Sequence, residues 1–431
     1  MKRNLMFILI ITISNAAILF GGGTDTRVKS NSKTVSLNGL YFAGSDGIIK
    51  SFINPAGLIY LNESGIEFTI LDCLAQNSFE SSSGELYNSL REDEFSFSGG
   101  FLWSVSDEMK TAFSYQEAVG YKSSWPYAQY YQQDSLNALL VFDLYNDLKV
   151  DAISASISYR FGNIVFGLSP VLYHITNKVA FSQDNQMWTS GVGTAAYQFE
   201  YDEDAWTFGF NLGAITEFSD AFRVGLSVRS SYSADLEGSA KSKMFAVTDS
   251  TDETTTVISN FEMPWIIGVG SVYSLTSSIN LNIDIQYSLW GSTASSINHK
   301  FGNQIWQDNL SSPDPTSGIN GGTFTLNYKN TLDLGIGFEY VSESMISYRV
   351  GYLYSQSPNS NETYSFLYPA VDTHTMSLGV GLREGNLLFD ASLAYTIGIE
   401  RSVNSGAVEN LNGTYDYDSI VPMVTLKYII F

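Results

Sequence analysis

From about residue 65 the chain alternates in polarity. In DAISASISYRF one set of positions holds Ile153, Ala155, Ile157, Tyr159 and Phe161, and the other holds Ser154, Ser156, Ser158 and Arg160. WTFGFNLGA sets Trp206, Phe208, Phe210 and Leu212 against Thr207, Gly209, Asn211 and Gly213. INLNIDIQYSL alternates from Ile279 to Leu289, and LDLGIGFEY, ISYRVGY, MSLGVGL and FDASLAYTI carry the pattern toward the C-terminus. A period of two is that of a strand whose successive side chains face opposite ways. The two faces differ in kind. One is aliphatic and aromatic, with Tyr and Trp near strand ends; the other is Gly, Ser, Thr and Asn. A soluble sandwich puts Lys and Glu on its wet face. A small, Gly-rich face suits a crowded interior, and an apolar face with terminal aromatics suits a lipid-facing band.

The alternation predicts fourteen strands, at 65–73, 95–105, 109–118, 150–161, 163–174, 205–217, 221–234, 260–275, 279–290, 327–341, 344–355, 373–383, 386–400 and 418–431. Every second link is tiny: SDE at 106–108, Gly162-Asn163, SDA at 218–220, TSS at 276–278, SE at 342–343 and EG at 384–385. The others are long. An even strand number with strict short-long alternation predicts an all-β fold, a 14-stranded antiparallel transmembrane β-barrel of the bacterial outer membrane. Closure satisfies every backbone polar group in lipid. The chain ends VTLKYIIF, a strand suited to barrel-assembly machinery. Val424, Leu426, Tyr428 and Ile430 share one parity and Phe431 falls on the other.

The N-terminus does not alternate. Lys2 and Arg3 precede an apolar run, Leu5 to Ile13, and Ser14-Asn15-Ala16 is a cleavage candidate. That is the layout of a secretory signal, and the run is short for a spanning helix. Residues 1–22 are therefore assigned to a signal peptide, 23–62 to a plug and 63–431 to the barrel. Within the plug lies SFINPAGLIYL. Pro55 fixes φ and starts a short turn of helix at Ala56, after Asn54. Ile48, Ile49, Phe52 and Ile53 make this piece greasy. They either line a ligand pocket or pack the plug.

Charge narrows the function. Lys and Arg number 22 against 44 Asp and Glu, a net charge of −22, which excludes phosphate-backbone binding and hence nucleic acid. Cys73 is the single cysteine, and His174, His299 and His374 lack metal-ligand spacing. No metal or cofactor is expected, and no nucleophile elbow, P-loop or other enzyme signature is present. Inward-parity Arg160, Arg223, Arg229, Arg349 and Arg383 face Asp284, Asp333, Glu339 and Asp390, a set expected to form ion pairs across the lumen. The remaining acid falls in the long loops, where it is either simply solvated or bridged to lipopolysaccharide by divalent cations. The best capture surface is the loop YKSSWPYAQYYQQDSLNALLVFDLYND. There Trp125, Tyr127 and Tyr130 precede Leu136, Leu139 and Leu140 at the spacing of a short amphipathic helix.

Several stretches carry a family likeness in their order along the chain. LNGLYFAGSDGIIKSFINPAGLIYL contains Asn54-Pro55-Ala56. FRVGLSVRSSYSADLEGSA covers Phe222 to Ala240. FEMPWIIGVGSVYSLTSSINLNIDIQYSLW starts a hairpin with Pro, and YKNTLDLGIGFEYVSESMISYRVGYLYSQSPN precedes YPAVDTHTMSLGVGL. Together they resemble the FadL family of outer-membrane transporters for long-chain fatty acids and other hydrophobic compounds, whose N-terminal hatch carries an Asn-Pro-Ala motif. The resemblance implies a monomeric barrel closed by a hatch, with outer-membrane lipid around it. A hydrophobic ligand, fatty acid or hydrocarbon, is captured among the outer loops. It passes to a tighter pocket, for which Ile49, Phe52 and Ile53 are the candidate lining here, and leaves sideways beside a kinked third strand. Here the third strand has no Gly or Pro within Met109–Ala118, so a kink is not expected. The alternative is a non-transporting surface barrel, adhesin or receptor, or a general porin for polar solutes.

Overall fold

A computed structural model describes residues 31–44, 47–61, 64–90, 93–126, 143–185, 195–245, 252–303, 319–320, 322–365, 368–406 and 412–430. Fourteen antiparallel strands form the wall: β1 (Gly65–Ser81), β2 (Asp93–Ser104), β3 (Met109–Pro126), β4 (Asp143–Phe161), β5 (Ile164–Asn185), β6 (Ala195–Ser219), β7 (Phe222–Arg229, resuming as Tyr232–Phe245), β8 (Asp252–Met263, resuming as Ile266–Ser274), β9 (Ile279–Ser288), β10 (Thr331–Val341), β11 (Ile346–Ser355), β12 (Thr373–Glu384), β13 (Leu387–Gly398) and β14 (Gly413–Ile429). Each pairs with its neighbours in sequence, and β1 pairs with β14 from Gly65↔Ile429 to Ser81↔Gly413, which closes the barrel. The short links fall where the pattern puts them. Gly162 and Gly385, each first in a two-residue turn, have φ of 60° and 58°, a region a tight hairpin fills with glycine.

Burial reproduces the two faces. In β10, Leu334, Ile336, Phe338 and Tyr340 are exposed and Asp333, Gly335, Gly337 and Glu339 are buried. Outward aromatics gather near the turns: Tyr340 stacks on Tyr348 at 6.4 Å and Phe218 on Phe222 at 5.8 Å. Such rings belong at the level of lipid headgroups. Val424, Leu426 and Tyr428 are exposed together.

Strand length departs from expectation. β4 to β8 run well past the predicted ends; β6, expected at 205–217, begins at Ala195. The added rungs include Asp202, Glu203 and Asp204 on β6 and Thr254, Thr255 and Thr256 on β8. Above the lipid a ladder needs no apolar face, so the backbone pairing continues after the hydrophobic signal has ended. The strands predicted at 221–234 and 260–275 are each interrupted, at Ser230-Ser231 and Pro264-Trp265. The breaks lie side by side, since Met263 pairs with Tyr232 and Ile266 with Arg229. Pro264 has no N–H to give the ladder. Ser230 mends part of the break: its Oγ accepts from Phe210 N at 2.9 Å, and its N–H donates to Phe210 O at 2.9 Å.

The N-terminal piece packs on the inner wall. It holds a helix (Ser32–Ser36) and 3₁₀ turns at Ile49–Phe52 and Pro55–Tyr60. The small inner face now has a reason. A Cβ on Gly167 would lie 2.2 Å from Ala56 N, one on Gly225 2.4 Å from Phe42 O, and one on Gly337 2.3 Å from Leu37 O. The wall is glycine where this segment's backbone touches it. Buried carboxylates hold it. Asp284 on β9 accepts from Phe42 N (2.7 Å) and Asn38 Nδ2 (3.0 Å); Glu67 on β1 accepts from Ile48 N (2.7 Å) and Asn31 Nδ2 (3.0 Å). Asn54 caps the second turn by accepting from Ala56 N at 3.1 Å, and its Nδ2 donates to Phe42 O at 2.7 Å.

The expected charge ladder is only partly formed. Arg349 bridges Glu339 (2.9 Å) and Asp390 (2.5 Å), and Arg160 pairs with Glu217 (2.8 Å). Arg160 and Arg223 also flank the Tyr60 ring, at 5.3 and 4.6 Å. Arg383, at a strand end, keeps the parity of buried Gly381 and lines a cavity with Arg349 and Asp390, but it is exposed. Asp333 accepts from Gln286 at 2.8 Å, and Asp284 serves the N-terminal segment. Arg223 and Arg229 lie over aromatic rings and Asp284 and Asp333 accept from amides, where ion pairs were expected.

Candidate functional site: an aromatic path above the N-terminal segment

Inward residues change character with height. On β5 the sequence runs Gly167, Ser169, then Val171, Tyr173 and Ile175, all buried. The small residues lie against the N-terminal segment; the large ones line the space above it. Phe52, at the top of the first 3₁₀ turn, meets Tyr173 edge-on at 6.2 Å. Tyr173 stacks on Tyr232 at 3.9 Å, and Tyr232 lies 6.4 Å from Phe261. Offset or edge-on ring pairs of this kind contribute about 0.5–1.5 kcal/mol each beyond their buried area. The Arg229 guanidinium sits over the Phe52 ring at 4.7 Å, a cation–π contact that fixes the lower end of this column.

Phe261 also lines a small outer cavity of about 40 Å³. Its other walls include Leu148, Leu236, Met263, Trp290, Tyr328 and Tyr368. Trp290 meets Tyr328 edge-on at 5.4 Å, and Tyr121 stacks on Tyr368 at 5.8 Å. Burial pushes the Tyr328 and Tyr368 phenols far above their ordinary range, so both stay neutral. Glu203 forms one polar corner. It accepts from Asn177 Nδ2 at 3.1 Å and from Ser259 Oγ at 2.7 Å.

The third strand is irregular, against expectation. Its register with β4 shifts between Glu117 and Val119, which leaves Ala118 as a bulge. Residues 116–121 are all buried, so the in-out alternation of β3 is lost there. Pairing between β2 and β3 stops at Gly99↔Tyr115; farther out, Leu90 N donates to Ser124 O at 2.8 Å. The wall between β2 and β3 thus lacks its ladder over that stretch. Gln116 lies at its lower edge, buried, with neither end of its amide hydrogen-bonded. A bulge needs an extra residue rather than Gly or Pro, and Ala118 carries no compositional mark of one.

Of the sequence candidates, Phe52 and Ile53 join this apolar cluster, and so does Trp125, whose Nε1 donates to Ser123 Oγ at 2.9 Å. Ile49 is fully buried but outside it, and Ile48 packs lower down with Leu58, Leu61 and Leu102. Tyr127, Tyr130, Leu136, Leu139 and Leu140 lie outside the described residues. Sequence reasoning missed Tyr173, Tyr232, Phe261 and Glu203. The available signal was large apolar residues at the parity that elsewhere holds Gly and Ser. Each histidine has a polar neighbour: His174 has Asp204 (3.4 Å), His374 has Tyr352 Oη (2.7 Å) and His299 has Ser259 Oγ (2.5 Å). Ser259 stands between His299 and Glu203, so the carboxylate does not orient the imidazole as an acyl-transfer triad requires.

A closed 14-stranded barrel with an outward apolar band, its N-terminal segment against the inner wall and an aromatic column above that segment is a β-barrel of the outer membrane. The chain belongs to the outer membrane protein transport protein family (OMPP1/FadL/TodX), whose sequence model matches residues 43–428. It is 25% identical over 235 residues to outer membrane protein P1 of Haemophilus influenzae, a match covering 51% of this chain and 45% of that protein's length. Its fold is similar to that of a Pseudomonas aeruginosa FadL homologue (TM-score 0.76, 15% identity, 96% of this chain and 100% of that one). It is also similar to the P. putida toluene transporter TodX (TM-score 0.77, 15% identity, 94% and 99%).

Proposed function

We propose that the protein is a plugged, diffusion-driven channel that takes up long-chain fatty acids or hydrocarbons and delivers them sideways into the membrane. The observation that carries this reading is the continuous aromatic column, Phe261–Tyr232–Tyr173–Phe52, from the outer cavity to the N-terminal segment. Such a column is of no use to a hydrated solute. An acyl chain leaving water gains about 0.8 kcal/mol per buried CH₂, enough to draw it from the surface without an energy source. Residues 23–62 act as the plug, which blocks water while apolar cargo passes beside it. The unladdered wall between β2 and β3 is the exit, and the Ala118 bulge turns β3 inward there. Tyr127, Tyr130, Leu136, Leu139 and Leu140 form the capture surface. The test is uptake of labelled oleate and labelled toluene by cells whose own channels are deleted. Wild type should restore uptake of at least one cargo. Deleting Ala118, which straightens β3, should cut it at least tenfold in a barrel that still shows a heat-dependent gel shift. Unchanged uptake in the deletion refutes the lateral route.

A further inference from the structure

We infer that the outer cavity selects uncharged ligands that carry a hydrogen-bond donor, such as a hydroxyl on an apolar ring, and rejects carboxylates. The inference rests on the transport reading and narrows its cargo, excluding ionised fatty acids and favouring neutral apolar compounds. Among the described residues lining the cavity, the charged ones are Glu203 and Glu262, and there is no Lys or Arg. Glu203 is 1% exposed, and burial pushes its carboxyl up to about 7, so at pH 7.5 it is mostly ionised and its charge is little screened by solvent. A second carboxylate entering beside it would meet repulsion with no cation to offset it.

Among the described lining residues two polar atoms are left open, an amide oxygen that only accepts and a phenol hydroxyl that donates or accepts. Glu203 Oε1 accepts only, so the Asn177 amide must turn its Nδ2 toward it, at 3.1 Å. That places Asn177 Oδ1 on the far side, where it is buried and has no partner. Asn177 is 4% exposed. The Tyr328 hydroxyl, on the opposite loop, is likewise buried without a partner. A buried polar atom left unmatched costs about 1–3 kcal/mol, and a donor reaching Asn177 Oδ1 removes that cost. Around these atoms the lining is Phe261, Trp290, Tyr368 and Leu236, a surface suited to a ring. The cavity measures about 40 Å³, whereas a cavity that holds benzene is about 150 Å³. The wall must therefore yield on binding. Trp290 on its 3₁₀ turn and Tyr328 in the loop before β10 form the side outside the barrel ladder, and they are the side that moves.

The probes are 4-propylphenol, propylbenzene and 4-propylbenzoate at pH 7.5, where the phenol is neutral and the benzoate ionised. Binding to the purified full chain is measured by equilibrium dialysis, with empty micelles subtracted. The phenol should bind at least tenfold tighter than the benzoate and at least threefold tighter than propylbenzene. Glu203→Gln should raise benzoate affinity at least fivefold. Asn177→Leu should erase the phenol's advantage over propylbenzene, and it serves as the second variant if Glu203→Gln fails to fold. Benzoate binding as tight as phenol, or variants that leave both ratios unchanged, overturn the inference. If propylbenzene binds as well as the phenol, the selectivity is wrong while the transport path stands. If none of the three binds, both are wrong.

Discussion

Asp284→Ala removes the acceptor that Phe42 N and Asn38 Nδ2 share on the β9 wall, at 2.7 and 3.0 Å. Asp284 is 1% exposed, so water does not replace the lost bonds. Hydrogen bonds to a charged group contribute roughly 1.5–3 kcal/mol each, so the two together hold the segment by at least about 3 kcal/mol. At about 1.4 kcal/mol per tenfold, the displaced state should become about a hundredfold more populated. The rest of the attachment is untouched. Glu67 still accepts from Ile48 N and Asn31, Asn211 Nδ2 still donates to Phe52 O at 2.7 Å, and Ser227 Oγ still donates to Ile53 O. The segment should therefore flicker rather than leave. In planar bilayers the variant should show brief openings about a hundred times more often than wild type. Asp284→Asn keeps one oxygen for Phe42 N and should fall between, at about tenfold. An opening frequency within twofold of wild type, from a barrel with a normal heat-dependent gel shift, would refute the claim that this carboxylate keeps the segment seated.

Two further outcomes follow from the same geometry. Gly167→Ala sets a Cβ 2.2 Å from Ala56 N and should raise the opening frequency at least threefold, whereas Gly99→Ala, with nothing nearer than 3.5 Å, should be silent in the same recording. Tyr232→Ala breaks the column between Tyr173 and Phe261. Removing both ring pairs should lower hydrophobic uptake about fivefold while leaving conductance at the wild-type level.

The barrel was legible because lipid imposes one simple rule on every strand, and the rule was written in residues such as Leu334, Ile336 and Phe338. It stopped being legible where lipid stops: the upper rungs at Asp202–Asp204 pair as well as the lower ones but present no apolar outer face. The glycine-rich inner face announced a crowded lumen, yet Gly167 and Gly337 did not say what crowded it. That is a fact about Ala56 and Leu37, hundreds of residues away in places. The column was harder still. Tyr173 and Tyr232 look like any strand tyrosines until parity puts them inside, and their stacking depends on the register of β5, β6 and β7. The bulge at Ala118 left no trace, since an inserted alanine is as ordinary as a paired one. Glu203 reads as one more acid in an acidic loop until Asn177 and Ser259 are found against it.

The central claim is that the N-terminal segment is a plug in a barrel that is otherwise open. Single-channel conductance of a chain lacking residues 24–62 tests it most directly. The account predicts a stable, ohmic pore where the full chain is nearly silent, in a barrel that still folds. Conductance equal to that of the full chain would contradict it.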